Sequence, residues 1–514
     1  MIKSNGGIIG PDNVTTGGAF GSASGVFKLG EVTKLIRESK WPTAGPQGYN
    51  VDNSVRMSGA TVNLQRDFSG NGNRRTFTFS TWFKLSKITQ SGFFNWGKAN
   101  PEFSLRFESA TSNLANNYFR VSQFDGSQPV DLVTTQFFAD SSAWGHMVVA
   151  FDTTQGTASN RIKVYFNGTQ ITSLGTATYP SQNFETFVNQ ASKKHYIGYS
   201  DYQPINGYLS ETVFIDGQQL APTSFGEFNS QTGIWVPKDV SGLTFGTNGY
   251  YLQYKEAGTS QNSSGIGADT SGNNNHFACD GVVSLDQSTD TCTTNFATLM
   301  HPGYSDGGNV WQNILSEGNL FGASTSGGYS NYIGTIGLST GKWYWETKVT
   351  LSAATNANSG TGIKSAEYTQ RSAWQSGSGS YYLSTTGDIG NATTPGTSYG
   401  SAISSGNIVG VAYDATNGVI WFSINGTWQN SATISEIEAG TTTNAAFSSI
   451  ASGTYLPFGT DATASRTFDY GFNFGSPFYA ISSGNADSNG FGNFEYAVPT
   501  GFLSLNTKNL GEFG

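Results

Sequence analysis

Charge and cysteine are both scarce in this sequence. Charged residues make up 12% of the 514 positions, about half the share that is usual in globular proteins. The remaining charge sums to −9 with no basic stripe, which argues against nucleic acid as a ligand. Two cysteines, Cys279 and Cys292, are too few for a disulfide scaffold; a reducing compartment favours unpaired thiols, and the short spacing leaves a local disulfide open.

Long apolar runs are missing as well. No run reaches the length of about 18 residues that a membrane-spanning helix needs, so we expect no membrane insertion. Residues 1–10 contain one lysine and no long apolar stretch, which does not fit a secretory signal peptide. The sequence therefore predicts a protein that is made and folded in a cytoplasm.

Glycine and aromatic residues are abundant instead. The chain has 66 glycines, and Phe, Tyr and Trp together make up 14% of it. Disordered chains lack aromatics and carry high charge, so this composition excludes disorder. It is typical of many strands joined by turns that are rich in Gly, Ser and Thr. At about 150 residues per domain, the length predicts two to four domains.

Local patterns support an all-β fold. Residues 75–85 (RTFTFSTWFKL) alternate in the manner of a strand, and similar short segments recur along the chain. Asn167-Gly168 and Asn425-Gly426 each follow such a segment and predict tight hairpin turns. The sequence therefore predicts two jelly-roll-type β-sandwich domains.

The organisation along the chain can also be predicted. Residues 1–45 form an N-terminal arm with one short amphipathic helix, indicated by Val32, Leu35 and Ile36 and ended by Trp41-Pro42. Residues 46–256 form the first sandwich and 301–514 the second. Between them, 257–300 is predicted to be a turn-rich linker, and its low apolar content suggests some independence of the two sandwiches.

Several segments resemble known families. The stretches RTFTFSTWFKL, NRIKVYFNGTQ and NGYLSETVFIDGQQLAPTSFGEF, within about 50–255, resemble the laminin-G-like, concanavalin A-type sandwich of many phage tail-fibre and virion proteins. The stretches GKWYWETKV, GNIVGVAYDATNGVIWFSINGTW and RTFDYGFNFGSPF, within about 300–514, resemble an SPRY-type sandwich. The segment between them resembles the linker of such proteins. The resemblance implies a bacteriophage virion component, assembled in the host cytoplasm.

Catalytic motifs are not evident. Concanavalin A-like glucanases place carboxylates on one face of a strand as Glu-x-Asp-x-Glu, and this run is missing. Glu211 and Asp216 are five residues apart, so they lie on opposite faces of a strand, and Glu346 has no carboxylate near it in the sequence pattern. We therefore expect that the protein is not an enzyme. The histidines are too far apart in sequence to suggest a zinc site: His146, His195, His276 and His301.

Calcium is the one ion for which the sequence offers an argument. Asp269, Ser271 and Asn273 place oxygen atoms at alternate positions, as at the start of a calcium loop, and Asp280 falls at the twelfth position. A weaker copy begins at Asp67. The same residue types are ordinary turn formers, so a plain turn is favoured for both loops and calcium stays open.

Glycan binding is the functional hypothesis for the surface. The Ser/Thr/Gly-rich stretch 351–405 carries aromatic residues whose rings could stack on sugars while polar neighbours bind hydroxyls. The alternative is that these rings belong to the core or to a subunit interface. The candidate residues are Tyr368, Trp374, Tyr381, Tyr382 and Tyr399.

The leading hypothesis is that the protein is a structural subunit of a phage appendage, such as a tail fibre, and that it presents its sandwiches to host-surface glycans. Its N-terminal arm would bind other virion proteins, and family analogy favours a homo-oligomer, with a trimer as the first choice. A capsid-decoration or cement protein without a receptor role is the alternative. A polysaccharide-degrading tailspike is the third reading.

Overall fold

A computed structural model gives the fold of the chain. It describes residues 8–10, 25–27, 48–58, 62–86, 91–96, 102–109, 117–198, 205–230, 232–300, 314–323, 330–352, 355–368, 379–391, 394–461 and 468–513. The larger of two compact units spans 51–222 and 241–514, and the smaller holds the described residues up to Asn50 together with 223–240. The predicted helix in the N-terminal arm lies outside the described residues.

The smaller unit contains two hairpins. In the first, β1 (Ile8–Gly10) pairs with β2 (Gly25–Phe27). In the second, Gly226–Phe228 pairs antiparallel with Trp235–Pro237, and the rings of Phe228 and Trp235 meet edge to face at 4.9 Å.

The first sandwich of the larger unit begins with a run of antiparallel strands. Their bounds are β3 (Ser54–Met57), β4 (Asn63–Arg66), β5 (Thr76–Leu85), β6 (Ser91–Trp96), β7 (Glu102–Ser109), β8 (Asn117–Phe124), β9 (Val130–Phe137), β10 (Gly145–Asp152), β11 (Ile162–Phe166), β12 (Thr169–Gln170), β13 (Leu174–Thr178), β14 (His195–Ile197) and β15 (Gly207–Asp216). The hairpin of the smaller unit follows as β16 and β17. Three short strands complete the set: β18 (Tyr250–Leu252), β19 (Ala278–Asp280) and β20 (Gln287–Ser288).

These strands form two eight-stranded sheets. One has the order β12-β11-β10-β5-β15-β3-β20, with β18 also paired to β15, and the other β13-β9-β8-β7-β6-β14-β4-β19. Phenylalanines from both sheets fill the space between them; Phe77, for example, stacks on Phe151 at 4.5 Å and meets Phe103 edge to face. Successive side chains of a strand point to opposite faces of its sheet, and the inward-facing residues of both sheets make this two-layer core.

Most of the segment 257–300 belongs to the first sandwich, and its end, at Ala297 and Leu299, is buried in the core of the second, which differs from the prediction of a linker with some independence. Its β19 pairs with β4, and its β20 pairs with β3. Ile266 and Phe277 are fully buried in the sandwich core. The segment is rich in turns, as predicted, and long-range hydrogen bonds add to these apolar contacts, for example from Thr291 Oγ1 to the carbonyl oxygen of Val51 at 2.8 Å.

The second sandwich contains the remaining strands. Their bounds are β21 (Ile314–Ser316), β22 (Phe321–Ala323), β23 (Ser330–Ile333), β24 (Lys342–Leu351), β25 (Gly360–Ser365), β26 (Ser380–Ser384), β27 (Asp388–Asn391), β28 (Thr394–Ser398), β29 (Ile408–Asp414), β30 (Val419–Ile424), β31 (Thr427–Trp428), β32 (Tyr455–Asp461) and β33 (Phe468–Asn473). Two short helices accompany them, α1 (Ile434–Ala439) and α2 (Thr507–Phe513).

These strands again make two layers. The seven-stranded sheet has the order β21-β22-β33-β24-β29-β30-β31, and the six-stranded sheet β23-β32-β25-β26-β27-β28. Trp343, Trp345 and Phe472 are among the fully buried residues between them. On the outer side of the seven-stranded sheet, Tyr344 and Trp421 pack with α1 and with Phe494 and Phe502 of the C-terminal segment. The all-β prediction with two sandwiches is confirmed.

The two sandwiches make direct polar contacts. Asn319 donates from its amide nitrogen to the carbonyl oxygen of Ser86 at 2.7 Å, and Tyr208 donates to the carbonyl oxygen of Gly318 at 3.0 Å. Both contacts are buried at the junction between the two sandwiches. Within the described part of the chain, every helix is too short or too polar to cross a membrane.

Candidate functional site

A polar and aromatic surface covers the outside of the second sheet of the first sandwich. Along β8, Phe119 and Val121 point into the core, so the alternating residues Tyr118 and Arg120 occupy the opposite face. The same alternation on the neighbouring strands extends the surface. We call this the Arg120 face, and it comprises Ser104, Arg106, Glu108, Tyr118, Arg120, Ser122, Asp131, Val133, Thr135, Phe137 and Thr176.

Arg120 is held rigidly at the centre of this face. Its Nε and Nη2 atoms donate to the two oxygens of Asp131 at 2.7 and 3.0 Å, and its Nη1 atom donates to Glu108 Oε2 at 2.7 Å. Burial lowers the pKa of Arg120, but the hydrogen bonds and charges of the two carboxylates outweigh it and raise the pKa overall. Such a bidentate pair fixes the guanidinium plane.

A second arginine lies on the neighbouring strand. Arg106 donates from Nη1 to Ser122 Oγ at 2.7 Å and also contacts Ser104 Oγ, while its Nη2 lies 3.6 Å from Glu108 Oε2. The two serine oxygens are 2.9 Å apart. Two arginines and two carboxylates therefore balance in charge, and hydrogen bonds between strands fix their positions.

Aromatic rings border this network. Tyr118 and Phe137 are cross-strand partners, and their ring centroids lie 4.9 Å apart. Phe137 is 50% exposed, an unusual position for a phenylalanine. A depression of about 670 Å³ lies beside the rings and is lined by Glu108, Tyr118, Arg120, Val133, Thr134, Thr135, Phe137, Gly175 and Thr176. The arrangement joins an apolar ring surface to fixed donors and acceptors.

The predicted aromatic cluster in 351–405 is placed differently. Tyr382 and Tyr399 are only 4% and 5% exposed, and burial raises the pKa of Tyr382 to about 12. Tyr381 packs between Phe447 and Tyr455, with centroid distances of 5.1 and 6.0 Å. These three rings therefore serve packing, and the faces of Tyr382 and Tyr399 are not available to a sugar.

For two residues of that predicted cluster, the structure does not decide between packing and glycan binding. Tyr368 ends a 3₁₀ turn at Ala366–Tyr368, and Trp374 lies outside the described residues. Glycan binding at these two positions stays a prediction.

The predicted calcium loop is braced by its own hydrogen bonds. Asp269 accepts from the backbone nitrogens of Tyr251, Ser271 and Asn275 at 2.8, 2.9 and 2.7 Å, and from Ser271 Oγ at 2.9 Å. The side-chain nitrogen of Asn273 donates to two backbone carbonyl oxygens. These bonds explain the residue pattern as a turn.

The other proposed ligand, Asp280, lies on β19 instead. There it accepts from the side-chain nitrogens of Asn63 and Gln65 at 3.3 and 3.5 Å. In the weaker loop, Asp67 pairs with Lys194 at 3.8 Å, and Asn71 accepts from the backbone nitrogen of Ala191. Among the described residues, no group of three or more His, Cys, Asp or Glu side chains is placed to hold a metal ion.

The isolated carboxylates are buried and engaged in structural contacts. Asp216 accepts from the backbone nitrogens of Asn73 and Asn248 and from the amide of Asn189. Glu211 sits at a β-bulge of β15 with a φ of 49° and contacts the Tyr251 hydroxyl. These contacts hold loops and strands together.

The Arg120 face was missed at the sequence level. Phe103–Phe107 and Tyr118–Phe124 are two of the short segments whose pattern predicts strands, but the pattern alone does not indicate that their charged residues form one surface. Alternation of Arg106 and Glu108 with buried phenylalanines is the signal that could have revealed it, because charges inside a predicted strand occupy its solvent-facing side.

Comparisons with known proteins bear on both sandwiches. Residues 57–219 match the model of the concanavalin A-like lectin/glucanases superfamily, and residues 342–451 match that of the SPRY domain. The predicted order of the two domain types is thus confirmed. No curated protein matches the chain in sequence.

Solved structures with similarity to parts of the chain include three of different origin. A heptameric SAP-like pentraxin from Limulus polyphemus is 16% identical, with 33% of this chain and 78% of that one covered and a TM-score of 0.26. The SPRY domain of human HERC1 is 14% identical, with coverages of 31% and 91% and a TM-score of 0.24. Domain 4 of the Geobacillus stearothermophilus arabinanase AbnA, in complex with arabinotriose, is 17% identical, with coverages of 29% and 65% and a TM-score of 0.22.

Proposed function

We propose that the protein is a non-catalytic carbohydrate-binding protein and that the Arg120 face holds the glycan. The observation that carries this proposal is the half-exposed ring of Phe137, placed against Tyr118 and beside the fixed Arg120 network. The match of the surrounding sandwich to a superfamily of lectins and glucanases supports it.

The geometry suits a sugar for a physical reason. One face of a pyranose ring is apolar and can pack on an aromatic ring, while its edges carry hydroxyl groups that need fixed donors and acceptors. Arg120, Glu108 and Asp131 are already oriented by their mutual hydrogen bonds, so binding costs little side-chain entropy. Because two arginines balance two carboxylates, the face favours a neutral glycan over an acidic one.

A binding assay with paired variants tests this proposal. We expect Phe137→Ala to weaken binding of a glycan found on a neutral-polysaccharide array about tenfold, since an aromatic contact contributes about 0.5–1.5 kcal/mol beyond area burial. Phe124→Ala is the matched control, because Phe124 is 38% exposed on the same sandwich but does not line the depression. Equal affinities of Phe137→Ala and the unchanged protein, measured by calorimetry, would contradict the assignment.

We further propose that the protein serves as a bacteriophage appendage subunit, such as a tail fibre, with its N-terminal arm bound to other virion proteins. This rests on the family resemblance of the sequence. A homo-oligomer, trimeric by analogy, would raise avidity for a repeated glycan. Labelled antibodies located by electron microscopy on particles test the placement: tail labelling supports it, and labelling of capsid lattice sites supports the decoration alternative.

The absence of catalysis is part of the proposal and has its own test. Purified protein is incubated with host capsule or lipopolysaccharide, and the soluble fraction is analysed for oligosaccharides. We expect none; released oligosaccharide would favour the polysaccharide-degrading tailspike.

A further inference from the structure

The ammonium group of Lys84 lies deep inside the protein at the end of β5, with only 1% of its side chain exposed. It donates to Asp290 Oδ2 at 2.9 Å, to Asn295 Oδ1 at 2.7 Å and to the carbonyl oxygen of Phe296 at 2.9 Å. Asn295 lies 211 positions further along the chain. The fold thus brings a lysine amine, a carboxylate and a primary amide together at hydrogen-bond distance.

The carboxylate of Asp290 is held in place from its other side. Its Oδ1 atom accepts from Trp144 Nε1 at 3.0 Å and from the backbone nitrogen of Phe296 at 3.2 Å. The ring of Tyr208 lies 5.7 Å from Lys84 Nζ and meets the indole of Trp144 at 6.2 Å. Only 2% of the Asp290 side chain is exposed, and the two aromatic rings shield its carboxylate from water.

We propose that Lys84 and Asn295 form an intramolecular amide bond and that Asp290 acts as the proton carrier for its formation. Nζ attacks Cγ of Asn295, the new Nζ–Cγ bond forms, and the Cγ–Nδ2 bond breaks with release of ammonia. No oxidant, metal or cofactor is needed, because the reaction exchanges one amide for another.

The protons and electrons balance within the cluster. One of the three Nζ protons passes to Asp290 Oδ2, which frees the lone pair that attacks Cγ. A second moves to Nδ2 as that nitrogen leaves with the bonding electron pair, and the third stays on the new amide. Ammonia takes the proton back from Asp290 and departs as ammonium, so the carboxylate is regenerated.

Position and surroundings favour this reaction. The fold holds Lys84 Nζ 2.7 Å from the Oδ1 atom of the Asn295 amide that it would attack, which replaces a bimolecular encounter by an intramolecular one. A carboxylate beside a lysine amine is the arrangement of a general base with its nucleophile. Asn295 is half-buried, and its Nδ2 donates to the carbonyl oxygen of Ser142 at 2.8 Å, so the leaving nitrogen points away from Lys84.

Mass spectrometry of the full chain tests the proposal. We expect the folded protein to weigh one ammonia less than its sequence, and a protease digest to contain a branched peptide joining Lys84 to Asn295. Succinimides at Asn167-Gly168 or Asn425-Gly426 would also lose ammonia, but they leave linear peptides and open in mild base, whereas the branched peptide persists.

Variants separate the roles of the three side chains. We expect the Lys84→Arg and Asn295→Ala variants to keep the full sequence mass, because each lacks one reacting group. We expect Asp290→Asn to keep the full mass as well, although it retains both reacting groups. Lys348→Arg is the matched control and should show the same loss of ammonia as the unchanged protein. A full-mass unchanged protein after prolonged incubation, which does not depend on how the variants fold, would overturn the proposal. Cross-linking in Asp290→Asn would overturn the role of the carboxylate.

Discussion

Replacement of Glu346 by alanine should release the C-terminal segment from the second sandwich. Glu346 is fully buried on β24 and accepts from the backbone nitrogens of Glu495 and Tyr496 at 3.0 and 2.8 Å. The Tyr344 hydroxyl and the amide of Asn473 donate to it at 3.2 and 3.3 Å. One carboxylate therefore satisfies four donors and holds the chain across the outside of the sheet.

The magnitude follows from those donors. A buried donor that loses its acceptor costs about 1–3 kcal/mol, and the two backbone donors cannot turn elsewhere. We therefore expect Glu346→Ala to lower the free energy of unfolding by about 4 kcal/mol, cavity included. Glu346→Gln keeps the volume and one acceptor oxygen, so about 1–2 kcal/mol is expected.

The pH dependence provides a second observable. Burial raises the pKa of Glu346 above its ordinary value, although the four donors partly oppose this. The folded state then binds the proton more tightly than the unfolded state, so stability is lost as pH rises from the ordinary value through the raised one. Glu346→Gln has no such titration, and its stability should fall less over this interval.

Urea denaturation, followed by tryptophan fluorescence, measures these differences, and hydrogen exchange at residues 495 and 496 reports the local release. Glu367→Ala is the matched control, because Glu367 is exposed in the same sandwich and should change stability by less than about 0.5 kcal/mol. Glu346→Ala with stability within about 1 kcal/mol of the unchanged protein and unaltered exchange at 495 and 496 would refute the reasoning.

Two further predictions concern buried bases. Burial lowers the pKa of His146 to about 3, so the unchanged protein should lose stability as pH falls from 6.5 toward 3, and His146→Gln should lose about 3 kcal/mol less between pH 7 and 4.5 in urea titrations. An identical loss in both proteins would contradict a neutral buried imidazole. Burial also lowers the pKa of Lys364 to about 8, and its ammonium lacks a hydrogen-bond partner within the described part of the chain. Lys364→Met should therefore stabilise the protein by up to about 3 kcal/mol at pH 7, and this gain should shrink above pH 8. Thermal unfolding of both proteins at pH 7 and above pH 8 measures the gain. A Lys364→Met variant that is less stable than the unchanged protein at pH 7 would contradict the prediction.

Local chemistry made the strands and turns predictable. The predicted hairpin at Asn167-Gly168 joins β11 to β12, with φ values of 45° and 78°, and Asn425-Gly426 joins β30 to β31, with 49° and 76°. These left-handed conformations are what the tight hairpin turn requires of its two central residues. Turn type is set by two adjacent residues, so a single sequence reveals it.

Side-chain destinations were harder to predict. Tyr382 and Tyr399 lie in a polar stretch whose composition left both a glycan-binding role and a core role open, and the structure buries both of them. The Arg120 face depends on contacts between β7, β8 and β9, and strand register is not evident from the charges of one strand. The integration of 257–300 also depends on long-range polar bonds, such as that of Thr291 Oγ1 to the carbonyl oxygen of Val51, which hydrophobicity does not indicate.

The pairing of β3 with β20 bears on how the chain folds during translation. The hydroxyl of Ser54, at the start of β3, donates to the carbonyl oxygen of Asp290, 236 positions further along. Because translation proceeds from the N-terminus, β3 leaves the ribosome long before β20 is synthesised. The edge of β3 that pairs with β20 therefore stays unpaired while the intervening polypeptide is made. The first sandwich is therefore completed late, and its nascent form is the stage at which chaperones have the greatest opportunity to act.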